Sequence, residues 1–258
     1  MKKQITDFTV EERTLLAGGR YGLLKLRPAD GSALSPDIRA GQFVQVDAAC
    51  KDVMLRRPIS INFVDRERNL LWLLIRDAGK GTRSMIHDVA PGGKLNLVLP
   101  LGNGFSIAPT GSKVLLVGGG VGVAPLLQLG HDLKAAGSEP EFLLGARTEA
   151  DLLEMDAFER TGKVNVTTED GSAGTRGFVT NHESMGKKYD MVYCCGPAPM
   201  MKAVAAAARA TGSPCEVSLE NMMACGLGAC LCCVEKTVKG NVCVCTEGPV
   251  FNTEQLTW

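Results

Sequence analysis

Six of the ten cysteines fall between residues 223 and 251, in MACGLGACLCCVEKTVKGNVCVCTEGPVF, and none lies in the first 49 residues. The opening MKKQITDFTVEERTLL alternates and is interrupted by charge, so no secretory leader is read and a cytoplasmic setting is expected. In a reducing compartment, clustered thiols are metal ligands or nucleophiles more often than disulfides. Cys225, Cys230 and Cys233 are spaced by four and two residues, and Cys245 follows after eleven more. C-x4-C-x2-C with a distant fourth cysteine is the plant-type [2Fe–2S] spacing. The glycines of CGLGAC let the backbone turn tightly enough for amides to face the sulfurs. Zinc is the alternative, but its ligands come as two close pairs, which this spacing fits less well. Cys232 and Cys243 are surplus. If VCVC alternates along a strand, only one of Cys243 and Cys245 faces a cluster, and Cys245, just before the turn TEGP, is preferred. Cys50, Cys194 and Cys215 read as packing residues.

An iron–sulfur centre carries single electrons, so a partner cofactor is expected on the same chain. In LRRPISI, Arg57 and Ser60 on one strand would set a guanidinium toward a pyrophosphate and a hydroxyl near a flavin ring. In AGKGT, Gly81 and Thr82 open a helix whose amides bind phosphate. The two suit one dinucleotide, FAD. LLVGGGVGVAPL then places Gly118, Gly119, Gly120 and Gly122 between a strand and a helix, as nucleotide-binding turns do, although it departs from G-x-G-x-x-G. In YCCGPAPMM, Cys195 and Gly196 end a late strand, where parallel sheets bind ligands. TEDGS at 168–172 reads equally as a surface turn or a ligand-facing loop. Arg147 is a lone cation that could meet an adenosine phosphate, weak ground for NADP, and NAD is preferred. His87, His131 and His182 lack partners at ligand spacing.

The elements that must position these residues come in three parts. Residues 1–108 hold short alternating runs with Gly/Pro punctuation, the pattern of a small antiparallel β-barrel. Residues 109–213 alternate strand and helix, predicting a parallel-sheet α/β domain. Residues 214–258 form a small cysteine-rich module. With 28 basic and 28 acidic residues no net field draws the chain to nucleic acid or anionic lipid. The longest apolar runs are too short and glycine-rich to span a bilayer.

Taken together, R-x-x-S, G-x-G-T, VGGGVGVAPL and CGPAPMM resemble the ferredoxin–NAD(P) reductase superfamily. SLENMMACGLGAC…CTEGPVF resembles, within it, the electron-transfer subunits of B-type, NAD-linked dihydroorotate dehydrogenases. The resemblance runs end to end. It implies an oxidoreductase subunit of pyrimidine biosynthesis with FAD, a [2Fe–2S] cluster and NAD as cofactors. Electrons would pass from the FMN of a catalytic partner subunit, in a heterotetramer with two copies of each, through the cluster and FAD to NAD⁺. Carried over, Arg57, Pro58, Ile59, Ser60, Leu74, Ile75, Arg76, Gly81 and Thr82 hold FAD. Gly118, Gly119, Gly120 and Gly122 bind the nicotinamide cofactor's pyrophosphate, Cys195 and Gly196 lie near its nicotinamide, and Cys225, Cys230, Cys233 and Cys245 ligate iron. No residue is assigned as catalytic. The same domain plan fits a ferredoxin:NADP oxidoreductase small subunit or a hydrogenase diaphorase subunit. A redox sensor with a vestigial flavin domain is a non-enzymatic alternative, which would purify without FAD.

Overall fold

The protein is described from a computed structural model covering residues 3–48 and 50–258. Strands β1 (Gln4–Leu16), β2 (Tyr21–Pro28), β3 (Phe43–Val46), β4 (Arg57–Asp65), β5 (Leu70–Arg76) and β6 (Lys94–Leu101) close into an antiparallel barrel in the order β1-β2-β5-β4-β3-β6. Alternation fills it: Leu24 and Leu26 of β2, Ile61 of β4, and Leu71, Leu73 and Ile75 of β5 are fully buried in one core. Helix α1 (Lys80–His87) packs on this barrel, adding Met85 and Ile86 to its core. It sits close because Gly22 has no side chain; a Cβ there would lie 2.9 Å from Ile86 Cγ2.

The expected α/β unit follows. Strands β7 (Lys113–Gly119), β8 (Glu139–Ala146), β9 (Lys163–Thr168), β10 (Thr175–Arg176), β11 (Met191–Cys195) and β12 (Cys215–Ser218) run parallel in the order β10-β9-β8-β7-β11-β12. Helices α2 (Ala124–Ala135), α3 (Met155–Thr161) and α4 (Ala198–Thr211) cover them. Val114, Leu116, Phe142 and Leu144 meet Leu126, Leu129 and Phe158 on one face. Leu115, Val117 and Leu143 meet Met201, Val204 and Ala208 on the other. Burial on both faces is why these strands read as continuous apolar runs. Among the described residues no helix is long and apolar enough to cross a membrane.

The cysteine segment is tied to both neighbours. Strands β13 (Val234–Thr237) and β14 (Gly240–Cys243) form a hairpin, α5 (Val244–Glu247) is a single turn, and β15 (Val250–Asn252) adds antiparallel to β12. Two expectations need adjustment. β14 ends at Cys243 and Val244–Glu247 is helical, so Cys243 and Cys245 do not alternate along one strand. The sheet also extends past residue 213, because β12 and β15 belong to it. Asn103, after the barrel's last strand, donates from Nδ2 to Thr246 O at 2.9 Å and Glu247 O at 3.0 Å, and from N to Gly248 O at 2.6 Å.

Barrel and sheet share a core in which Tyr21, Leu23 and Leu74 pack with Val123, Ala124 and Leu127. Polar links cross the same seam. Val64 N donates to Gln128 Oε1 at 2.8 Å, and Asn62 Nδ2 donates to Ala124 O at 3.2 Å and Glu154 Oε2 at 3.0 Å. Glu154 sits just before α3 in the left-handed region, φ 53°. Burial raises its carboxyl from 4.5 to about 7, opposed in part by the Asn62 hydrogen bond and the Lys25 charge. The folded state therefore holds this proton more tightly than the unfolded chain. The resulting stability is fully present below pH 4.5 and is lost as pH rises through about 7. Replacing Glu154→Gln should remove that dependence. Urea unfolding should show the variant gaining up to about 3 kcal/mol on wild type in mild alkali and nothing well below pH 4.5. A gain independent of pH would contradict the assignment.

Candidate functional site

The cysteine loop is built by left-handed turns at Gly226 (φ 68°), Gly228 (φ 84°) and Leu231 (φ 59°). These turns aim amides at sulfur: Leu227 N donates to Cys225 Sγ at 3.3 Å, Gly228 N to Cys245 Sγ at 3.1 Å and Cys245 N to Cys233 Sγ at 3.4 Å. Cys233 and Cys245 are buried, Cys225 is half-buried and Cys230 is exposed. The backbone N–H of Leu227, helped by those of Cys230 and Ala229, lowers the Cys225 thiol to about 6, whereas burial and the Cys233 thiol push Cys245 up to about 12. Cys243 lies beside Cys233, with Cys230 and Cys225 within electrostatic reach; Cys232 is exposed. Among the described residues no three His, Cys, Asp or Glu side chains stand at metal-ligating geometry. The fit to an iron–sulfur centre rests instead on the donor set, thiols met by backbone N–H groups that stabilise charge on sulfur.

The flavin-directed residues meet at α1. Arg57 and Ser60 lie on β4, paired with Val46 and Phe43 of β3. A Cβ on Gly81 would lie 3.0 Å from Arg57 Nε and 3.3 Å from Ala48 Cβ, so the guanidinium lies over the first turn of the helix. Thr82 Oγ1 accepts from Ala78 N at 2.9 Å and Gly79 N at 3.1 Å, fixing that turn. A guanidinium beside first-turn amides suits a pyrophosphate. Alternation divides the remaining residues: Ile59 and Ile75 point into the barrel core, Pro58 and Ser60 are half-exposed, Leu74 packs at the seam and Arg76 is exposed.

Between barrel and sheet lies a cleft of about 500 Å³. Arg20, Tyr21, Arg76 and Asp77 wall it on the barrel side; Gly119, Gly120, Arg147, Thr167 and Glu169 wall it at the carboxyl ends of the strands. Gly120 takes φ 55°. Gly122 packs on the end of β11: a Cβ there would lie 2.5 Å from Cys195 O and 2.6 Å from Gly196 Cα. A Cβ on Gly118 would lie 2.9 Å from Val123 Cγ1, so this glycine lets β7 approach its own helix. Burial pushes the Cys195 thiol up to about 12, so it is neutral near physiological pH. Of TEDGS, Glu169 reaches the cleft. His182 accepts from Ser184 N at 3.2 Å, and His131 packs edge-on to Phe63 at 5.3 Å.

Sequence reasoning missed Arg20, Tyr21 and Asp151. Arg20 Nη1 meets Asp151 Oδ1 at 2.6 Å, tying barrel to sheet beside the cleft. The available signal was GRYGLL, a cation and an aromatic opening a strand. The crowding at Gly122 yields a prediction. Gly122→Ala should weaken NADH binding at least about tenfold in a titration while FAD content per chain stays at the wild-type level. Unchanged NADH affinity would remove this turn from the nucleotide site.

Comparison with known proteins then places the chain. Residues 220–257 match the iron–sulfur cluster binding domain of dihydroorotate dehydrogenase B, and residues 116–206 match an oxidoreductase NAD-binding domain. The dihydroorotate dehydrogenase B (NAD(+)) electron transfer subunit of Bacillus caldolyticus is 38% identical over 255 residues, covering 96% of both chains. That of Fusobacterium nucleatum subsp. nucleatum is 36% identical over 258 residues, again covering 96% of each. A chain from the structure of an NADH-dependent reduced ferredoxin-NADP oxidoreductase superposes with a TM-score of 0.86 at 31% identity, covering 97% of this chain and 90% of that one. Barrel, α/β sheet and cysteine loop occur here in one chain, and relatives match it along nearly their whole length. It belongs to the family of electron transfer subunits of dihydroorotate dehydrogenase B, flavin and iron–sulfur oxidoreductase subunits that use NAD.

Proposed function

We propose that this chain relays electrons between an FMN-containing dihydroorotate dehydrogenase catalytic subunit and NAD⁺, in the cytoplasm, within a heterotetramer of two copies of each. The observation that carries the reading is the family-specific cysteine segment, residues 220–257, built into the same fold as a nucleotide cleft. When bound, the iron–sulfur centre supplies one-electron transfer, and the flavin interconverts single electrons and the hydride exchanged with NAD⁺.

The chain's own residues position and insulate these groups. Cys225, Cys230, Cys233 and Cys245 hold the cluster, with the Leu227 and Gly228 amides stabilising charge on sulfur. Arg57, Pro58, Ser60, Leu74, Arg76, Gly81 and Thr82 hold FAD; Ile59 and Ile75 contribute backbone, since their side chains fill the barrel. Gly118, Gly119, Gly120 and Gly122 receive the NAD pyrophosphate. Cys195 and Gly196 border the nicotinamide from the end of β11, the Cys195 thiol itself being buried and neutral. The division proposed is a flavin unit at 1–108, a nucleotide unit at 109–213 and a cluster unit at 214–258, the last anchored through β12 and β15.

The catalytic partner docks at the cysteine loop. Met222 is 83% exposed, Leu231 65% and Leu227 47%, all on the segment that carries Cys225 and Cys230. Apolar side chains left in water beside a redox loop suit a largely apolar interface core. A second reading, the small subunit of a ferredoxin:NADP oxidoreductase, draws on the 31% identity to a chain of that class. It gives the loop a different partner.

The deciding experiment mixes this chain anaerobically with an FMN-bearing dihydroorotate dehydrogenase from the same cell and follows NAD⁺ reduction by dihydroorotate, each protein also being assayed alone. Activity only in the mixture supports the reading. NADH oxidation by an artificial acceptor without coupling in the mixture favours the ferredoxin-linked alternative. In the coupled system, Met222→Glu with Leu227→Glu should lower dihydroorotate-dependent NAD⁺ reduction at least about tenfold, the scale of a lost interface anchor. NADH oxidation by the artificial acceptor should hold. Loss of both activities together would place the effect on folding instead of docking.

A further inference from the structure

Gln45 lies in β3, paired with Pro58 of the flavin-directed strand β4, and is fully buried. Neither its Nε2 nor its Oε1 has a hydrogen-bond partner among the described residues. A buried amide with both ends unpaired is costly and calls for an explanation. Its position supplies one. A Cβ built on Gly226 would lie 2.8 Å from Gln45 Cγ and 2.9 Å from Gln45 Nε2. The carboxamide is therefore wedged beneath the Cys225–Gly226–Leu227 turn, and the glycine's bare Cα is what admits it. The main chain of Gln45 is held in turn by Arg56, whose Nη1 donates to Gln45 O at 3.4 Å. One residue thus joins the strand that carries Arg57, Pro58 and Ser60 to the loop that carries the first cysteine.

We propose that the unpaired Gln45 amide would donate to sulfur of the centre when it is held at the Cys225 turn, and would set that centre's reduction potential. The inference rests on the cluster reading given above. An N–H directed at sulfur favours the more negative, reduced form, so its loss lowers the potential. The three amides already aimed at Cys225, Cys233 and Cys245 come from within the cysteine segment itself. Gln45 is distinct because it belongs to the barrel, and so makes the centre's electronics respond to how the loop seats on the flavin unit.

The test uses the full chain with its cofactors and an anaerobic redox titration that reads the reduced centre by electron paramagnetic resonance and the flavin by visible absorption. Gln45→Leu removes the amide, Gln45→Met keeps the length without donor or charge, and Gln45→His restores an N–H. The Leu and Met variants should lower the reduced-to-oxidised ratio of the centre about tenfold at fixed potential, a shift of about 59 mV for one electron. The His variant should titrate with wild type, and the flavin should not move in any of them. Unchanged titration of the Leu and Met variants overturns the proposal, as does an equal fall in all three, which marks a packing role. If Gln45→Leu fails to assemble the centre, the Met and His comparison decides alone, and failure of all three also marks packing. A wild-type chain without an iron–sulfur signal overturns the cluster reading itself.

Discussion

The seating of the cysteine segment depends on one clamp. Asn103 holds three successive carbonyls of the 246–248 turn, and Leu219 N donates to Pro249 O at 2.8 Å on the other side. A two-stranded hairpin and one helical turn cannot support a redox loop unaided, because so small a unit buries too little apolar surface. The clamp makes the cysteine segment a wedge between barrel and sheet, and it works at contact distance. A Cβ on Gly102 would lie 2.5 Å from Pro249 Cδ and 2.8 Å from Gly248 O.

Two of the three proposed cofactor positions lie where units meet, and the flavin position lies on the barrel unit itself. The flavin-directed residues face α1 against the barrel wall, the nucleotide cleft opens between barrel and sheet, and the cysteine loop rests on β3. Function therefore places its demand on the seams, which carry a shared apolar core together with buried polar links. Those links cost more than apolar contacts would, since Glu154 is desolvated and Asn62 Oδ1 has no partner among the described residues. In return they fix orientation, because a hydrogen bond has one geometry and an apolar contact tolerates many.

What the sequence disclosed was whatever is local. The cysteine spacing, the glycine run at 118–122 and the period-two alternation of β4 and β5 are written in adjacent residues, and barrel and α/β sheet were legible from them. The walls of the cleft were not. Arg20 and Asp151 meet only because β2 returns beside the sheet, a relation with no imprint on either neighbourhood. The helical turn at Val244–Glu247 was hidden by VCVC, whose alternation reads as strand; the hydrogen bonds from Val244 N to Cys233 O and from Gly248 N to Val244 O override it. Gln45 carries no local signal either, because its burial against Gly226 is a relation between residues far apart in the chain.

The topology also orders events during synthesis. Barrel and parallel sheet are complete in the chain before Cys225, and domains made first fold first. Yet β15, which seals the sheet edge, and Leu256, which bridges to Thr237, are translated after every thiol they help to position. The nascent chain thus exposes its reactive sulfurs while their anchor is still unmade.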